Sequence, residues 1–294
     1  VGPGRAGRAF ARSWTGAGGS IRLVARDLEA ARAFAATIPG TEVGPLDGED
    51  RLAGDVLVLA VPDDAIRSLA QRLAGRADFR FAFHFSGARD SRELAPLASG
   101  GAELGSLHPL RAFSGSDSDG WESAFVAVEG EDSAMEVAES LCRRVGARPH
   151  RIAAADKPLY HAAATLAAGG VASLLSLATR LFLDVGLSEE DGRAALADLS
   201  AGAVEAIERM PFEQALTGPV ARRDVETVRL HWRALKRWPE QAALYALLAA
   251  ETLRRTPGRG REAEIARIFA PDPEGAREVL VPNAEESDNR GRNG

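Results

Sequence analysis

Gly2-Pro3-Gly4-Arg5-Ala6-Gly7 opens the chain with the spacing G-x-G-x-x-G, and the strand-like run Ile21-Arg22-Leu23-Val24-Ala25 follows it. Glycines at this spacing suit a loop that wraps a pyrophosphate. The first permits a tight turn, the second lets a ligand approach the backbone, and the third lets a helix pack closely on a strand. The helix beyond the loop offers free amide donors and a favourable dipole to an anion. Such a loop normally follows a strand, of which Val1 alone is present, so the chain is read as lacking its natural N-terminus.

The following segments alternate between strand and helix patterns. Residues 28–38 suit a helix, stopped by Pro39-Gly40. Residues 56–61 form a continuous apolar run that suits a strand buried on both faces. Ile66, Leu69 and Leu73 share a helical face. Residues 81–85 read as a strand closed by Ser86-Gly87, residues 124–128 as another, and residues 135–145 as a helix. This alternation predicts a parallel α/β sheet of the Rossmann kind.

After Ile152 the pattern predicts helices only. Residues 159–185 read as one long helix, apolar nearly all round and therefore buried. Ser188-Glu189-Glu190-Asp191 resembles a capping box. Residues 223–235 and 240–253 are further helices, with breaks at Gly218-Pro219 and Trp238-Pro239. The predicted plan is a Rossmann domain over 1–151, an all-α domain over 152–272, and a polar tail over 273–294. A ligand is expected between the domains, at the carboxyl ends of the strands.

Composition excludes several function classes. The chain has 294 residues, is 45% hydrophobic and carries a formal net charge of -6. Both signs are mixed along it with no basic stripe, which argues against nucleic-acid binding. No uncharged apolar run of membrane length is expected, so no membrane span is predicted. Cys142 is the single cysteine, which excludes a disulfide scaffold and points to a reducing cytoplasm. No His/Cys/Asp/Glu spacing suggests a metal site.

The candidate cofactor residues are Gly2, Gly4, Arg5, Ala6 and Gly7, joined by Val61 and Pro62 at the end of the strand over 56–61. Arg26, just beyond the strand at Ile21, suits the 2′-phosphate of NADP. Asp27 is either a ribose acid, which would favour NAD, or a helix cap. NADP is the preferred cofactor, with NAD as the alternative.

Two groups of residues are candidates for the chemistry. Among 36 Lys+Arg only Lys157 and Lys236 are lysine. Lys157 and His161 are four residues apart, so they share a helical face. A partly desolvated lysine can protonate the anion that develops when hydride reaches a carbonyl or imine. Ser86 and His108 sit at strand ends, where serine can orient a substrate oxygen and histidine can shuttle its proton. His84 lies inside its strand and is expected to be packed. Lys236, between Arg233 and Arg237, is expected to be solvated.

Several segments resemble a known family. They are Gly2 to Gly7, His84-Phe85-Ser86-Gly87-Ala88, Gly105 to Phe113, Lys157-Pro158-Leu159-Tyr160-His161-Ala162-Ala163, and Leu216-Thr217-Gly218-Pro219 to Asp224. The chain resembles bacterial proteins that join a Rossmann-like NADP-binding domain to a C-terminal helical domain of unknown function. That family is similar to the 6-phosphogluconate dehydrogenase and β-hydroxyacid dehydrogenase group. The resemblance implies a 6-phosphogluconate dehydrogenase C-terminal-like helical domain, a homodimer and a small anionic substrate. Lys157 matches the lysine of a helical K-x-x-x-N pair, with His161 in place of asparagine. Ser86 with His108-Pro109 looks like the serine and the histidine-proline of prephenate dehydrogenases. The two likenesses imply different substrates. A non-catalytic NADP-binding sensor is a third reading. Arg222, Arg223 and Asp224 are read either as an anion contact or as an interhelical loop with a cap.

Overall fold

The computed structural model describes residues 1–38, 40–48, 50–116, 119–256 and 260–270. The tail expected over 273–294 and the stop expected at Pro39 lie outside them. The chain forms two compact units, Val1–Val171 and a second beginning at Ala172.

The first unit starts with α1 (Arg5–Gly16), β1 (Ile21–Ala25), α2 (Leu28–Ala35) and β2 (Thr41–Pro45). It continues with β3 (Leu52–Leu59), α3 (Ile66–Leu73), β4 (Ala77–His84), α4 (Ala95–Ala98) and β5 (Glu103–Pro109). The strands β6 (Phe125–Gly130) and β7 (Arg148–Arg151) flank α5 (Asp132–Arg144). β1 and β2 pair as a two-stranded parallel sheet, and β3 to β7 form a five-stranded sheet in sequential order. The larger sheet is parallel, as the alternation predicts, except that β5 and β6 run antiparallel.

Strand alternation gives the larger sheet two buried faces. Phe81, Phe83, Val126 and Val128 pack with Phe10 and Trp121 on one side. Leu57, Leu59 and Ala82 pack with Ile66, Leu69 and Leu73 of α3 on the other. Residues that bury both faces read as apolar runs, which is why these strands stand out in the sequence.

Val1 and Gly2 join the two sheets. The Val1 amine donates to Val58 O at 2.6 Å, and Ala60 N donates to Val1 O at 2.8 Å. Gly2 N donates to Val24 O at 2.9 Å. A cavity of about 570 Å³ lies alongside, lined by Ile21, Arg22 and Leu23 and by Asp55, Val56 and Leu57. Ser86, His108, Lys157 and His161 do not line it.

The chain then turns helical. The single helix expected over 159–185 is two, α6 (Lys157–Ala167) and α7 (Gly169–Asp184), broken at Ala168. Nor is it buried: Lys157 alone is buried in α6 and Thr179 alone in α7. Leu159, Leu166, Val171, Leu174 and Leu183 are exposed. An apolar composition shows that a surface wants cover without showing what covers it. The expectation about uncharged runs is also corrected, because residues 158–179 contain no Asp, Glu, Lys or Arg. The stretch Ala154–Asp184 contains an 18-residue window of mean hydropathy 1.6 and is long and apolar enough to cross a membrane by length and composition.

The second unit adds α8 (Glu189–Arg209), α9 (Phe212–Ala215), α10 (Gly218–Arg222), α11 (Val225–Leu235), α12 (Pro239–Arg255) and α13 (Glu262–Ile268). Ser188 caps α8 by accepting from Asp191 N at 3.0 Å, as the capping box predicts. Gly218-Pro219, expected as a break, opens α10, because proline is tolerated in a first turn. Val220, Val225, Val228, Ala249 and Ile265 form this unit's core. Arg223 is 4% exposed. Its guanidinium donates to Val220 O at 2.9 Å and Glu262 Oε1 at 3.1 Å. It ties the helices together, which corrects its alternative reading as an anion contact.

Candidate functional site

The glycine loop is shaped by contacts between its own backbone and the end of β3. Gly2 has φ +70, and a Cβ there would lie 2.4 Å from Val61 Cγ1. A Cβ at Gly7 would lie 2.7 Å from Ala60 Cβ. Local packing therefore demands both glycines. Gly4 is different: its φ is -67, and a Cβ would come no nearer than 3.6 Å to Ala60 O. The fold would accept a side chain there, so the bare backbone leaves the N-terminus of α1 open. That helix has no side-chain cap and no acid in its first turn. Glycine-bared amides at a helix start fit a dinucleotide phosphate.

Val61 is the side chain that the bare Gly2 accommodates. Arg5 donates to Phe113 O at 3.3 Å, and Ala6 O accepts from Trp121 Nε1 at 3.3 Å. Pro62 caps the turn that follows β3. Arg26 is exposed just past β1. Asp27 caps α2 by accepting from Ala30 N at 2.9 Å, so its carboxylate serves the helix.

A second cluster forms where β4 and β5 meet α6. Leu59, His84, Ser106 and Glu129 are successive register partners across the larger sheet. His84 is wholly buried. Its Nδ1 accepts from Ser86 N at 3.1 Å, which leaves Nε2–H to donate to Asp90 O at 3.0 Å. Burial lowers its pKa, and the neutral ring acts as a packed clamp on loop 86–90.

Ser86 shapes the same loop. Its hydroxyl donates to Asp63 Oδ2 at 2.8 Å and accepts from Arg89 N at 2.9 Å. Its carbonyl accepts from Lys157 Nζ at 3.0 Å. Gly87 is pressed against two imidazoles: a Cβ there would lie 2.5 Å from His161 Cδ2 and 2.8 Å from His108 Nε2. Among the described residues the Gly87 and Ala88 N–H groups have no hydrogen-bond partner.

His108 Nδ1 and the Tyr160 hydroxyl are 2.8 Å apart. The His161 ring stands edge-on to His108 at 5.6 Å. Burial, then the charges of His161 and Lys157, hold the His108 pKa down at about 4, against the opposing pull of Asp63. Burial pushes the Tyr160 hydroxyl up to about 12. At neutral pH His108 is therefore an uncharged imidazole. Lys157 is 0% exposed and bonds Ser86 O and, at 2.8 Å, Ser106 Oγ. Burial lowers its pKa, while Glu129, Asp90 and Asp63 raise it.

The structure thus brings together Ser86, His108, Lys157 and His161. It adds four residues that the sequence reading did not assign a role: Asp63, Ser106, Glu129 and Tyr160. Glu129 carries a faint signal, an acid directly after the apolar run of β6.

Residues 1–109 match the Rossmann-like domain family, and residues 124–252 match the domain of unknown function DUF2520. The chain joins a Rossmann-like domain to a DUF2520 domain. Ser86 and His108 fall in the Rossmann-like match, and Tyr160, His161 and Lys157 in the DUF2520 match. No curated protein matches the chain. Solved structures of similar fold include protein TM1727 from Thermotoga maritima, at 24% identity and TM-score 0.69, covering 91% of this chain and 97% of that one. The Bacteroides fragilis protein BF3122, named for an inferred NADP oxidoreductase activity, has 19% identity and TM-score 0.67, covering 85% and 95%. A pyrroline-5-carboxylate reductase from Coxiella burnetii has 14% identity and TM-score 0.55, covering 87% and 97%. At these identities the likeness is one of fold.

Proposed function

We propose that this chain is an NADP-dependent oxidoreductase acting on a small anionic carbonyl, imine or hydroxy acid. The observation that carries the proposal is the meeting of His108, His161 and the Lys157-bound peptide at Gly87, in the same unit as the glycine loop. NADP, when bound, supplies or accepts the hydride. The Gly2, Gly4 and Gly7 loop, with Arg5, Ala6, Val61 and Pro62, holds its phosphates. Arg26 favours the 2′-phosphate, a preference supported by the engagement of Asp27 as a cap.

The remaining chemistry belongs to the side chains around Gly87. Neutral His108 takes a proton from the substrate hydroxyl or amine in oxidation and returns it in reduction. Tyr160 fixes the orientation of its ring. The Gly87 and Ala88 amides and His161 hold the anionic end of the substrate, in the manner of an oxyanion hole. Lys157, expected from the sequence as the proton donor, acts here from behind the loop, because its ammonium is enclosed. The helices form a 6-phosphogluconate dehydrogenase C-terminal-like module that dimerises a cytoplasmic enzyme. Exposed Leu159 and Leu166 of α6 and Leu199 and Ile207 of α8 support a partner of the same chain.

The test is NADPH oxidation with a panel of keto acids, imino acids and cyclohexadienyl carboxylates. Turnover of at least one is expected. NADPH binding without oxidation across the panel would overturn the enzyme reading in favour of a sensor.

A further inference from the structure

Glu129 is a buried carboxylate with no direct part in the proposed reaction. It is 5% exposed and is the register partner of Ser106 across the β5–β6 pair. It accepts from Ser91 N at 2.9 Å, Ser91 Oγ at 2.8 Å and Ser106 Oγ at 2.9 Å. The Ser106 hydroxyl has one proton and gives it to Glu129, so its oxygen receives the Lys157 ammonium. The donor order is Lys157 to Ser106 to Glu129.

A buried ammonium requires a compensating anion. The titratable groups that face Lys157 come from several elements. They are Asp63 after β3, His84 at the end of β4, Asp90 in the loop beyond it, His108 on β5 and Glu129 on β6, with His161 one turn along the lysine's own helix. Asp90 is engaged by Arg92 at 2.9 Å, and Asp63 is exposed to solvent. His84 and His108 are uncharged. Glu129 is the buried anion linked to Lys157.

The other Lys157 contact shows what this arrangement serves. Ser86 O belongs to the peptide whose N–H is that of Gly87. A cation on the carbonyl side polarises a peptide and strengthens its N–H as a donor. We propose that Glu129, through the Ser106 hydroxyl, is the counter-ion and positioning residue that keeps Lys157 charged and aimed at Ser86 O. The Gly87 N–H then serves as a strengthened donor to a substrate carboxylate or oxyanion. This last role rests on the function proposed above, whereas the relay from Lys157 to Glu129 does not.

The chain's two lysines make the relay measurable. In the 294-residue chain carrying isotope-labelled lysine, NMR reports the titration of Lys157 beside that of Lys236, an exposed internal control. Glu129→Gln is expected to lower the Lys157 midpoint by about 1 pH unit or more, with Lys236 unmoved. Ser106→Ala, which cuts the bridge and leaves the carboxylate, is expected to give a smaller drop, with Glu129→Asp closest to wild type. A Lys157 midpoint unchanged in Glu129→Gln overturns the relay. Should that variant fail to fold, an unchanged midpoint in Ser106→Ala does so. A lowered midpoint with no turnover across the substrate panel would leave the relay standing and remove the oxidoreductase reading alone.

Discussion

The glycine loop and the Gly87 cluster share one unit but are built by opposite means. The loop occupies six contiguous residues, and its shape follows from backbone conformation and missing side chains. The cluster draws on β3, β4, β5, β6 and α6, and its hydrogen bonds join residues 51, 52 and 71 positions apart. The loop is open to solvent, whereas the cluster rests on a buried lysine and a buried glutamate. Cofactor binding and substrate chemistry should therefore fail separately under mutation.

Gly87→Val is the strongest way to test that separation. Its side chain would enter the space of both imidazoles, so turnover should fall on the order of 100-fold while NADPH affinity stays within about twofold. Equal losses in both would break the division. Gly4→Ala probes the other side: the fold tolerates the added carbon, so melting should be preserved while NADPH affinity falls about tenfold in fluorescence titration. Arg26→Ala should narrow the NADPH-to-NADH affinity ratio by about fivefold, with little effect on NADH itself.

The smallest effect is on stability in acid. His108 titrates at about 4 in the folded chain against an ordinary value of 6.5, and His84 is shifted the same way. Below the ordinary value the unfolded chain takes up protons that the folded chain refuses. The contribution to stability is then complete above that value and is lost as pH falls towards 4. Melting temperature should drop by about 5 °C between neutral pH and this range, and His108→Leu should flatten the slope. An unchanged slope would show that the ring is not held neutral.

The same contrast explains what was legible in the sequence. β1 was readable residue for residue, because its apolar run is local. The α8 cap at Ser188 was readable for the same reason. β7 was not, since Arg148-Pro149-His150-Arg151 has no apolar alternation and pairs at a sheet edge. The helical stretch after Lys157 was misjudged as buried because composition does not name a cover. Ser86, His108, Lys157 and His161 could be singled out by residue type and by position at element ends. Glu129 and Ser106 could not, because their roles depend on a cross-strand register that joins positions 23 residues apart.

The most direct test of the separation is one paired measurement on Lys157→Met: NADPH affinity by fluorescence titration, and turnover of a substrate found with the panel. Turnover should fall at least about 100-fold while NADPH affinity holds within about twofold. Full turnover, or NADPH binding lost together with turnover, would contradict it.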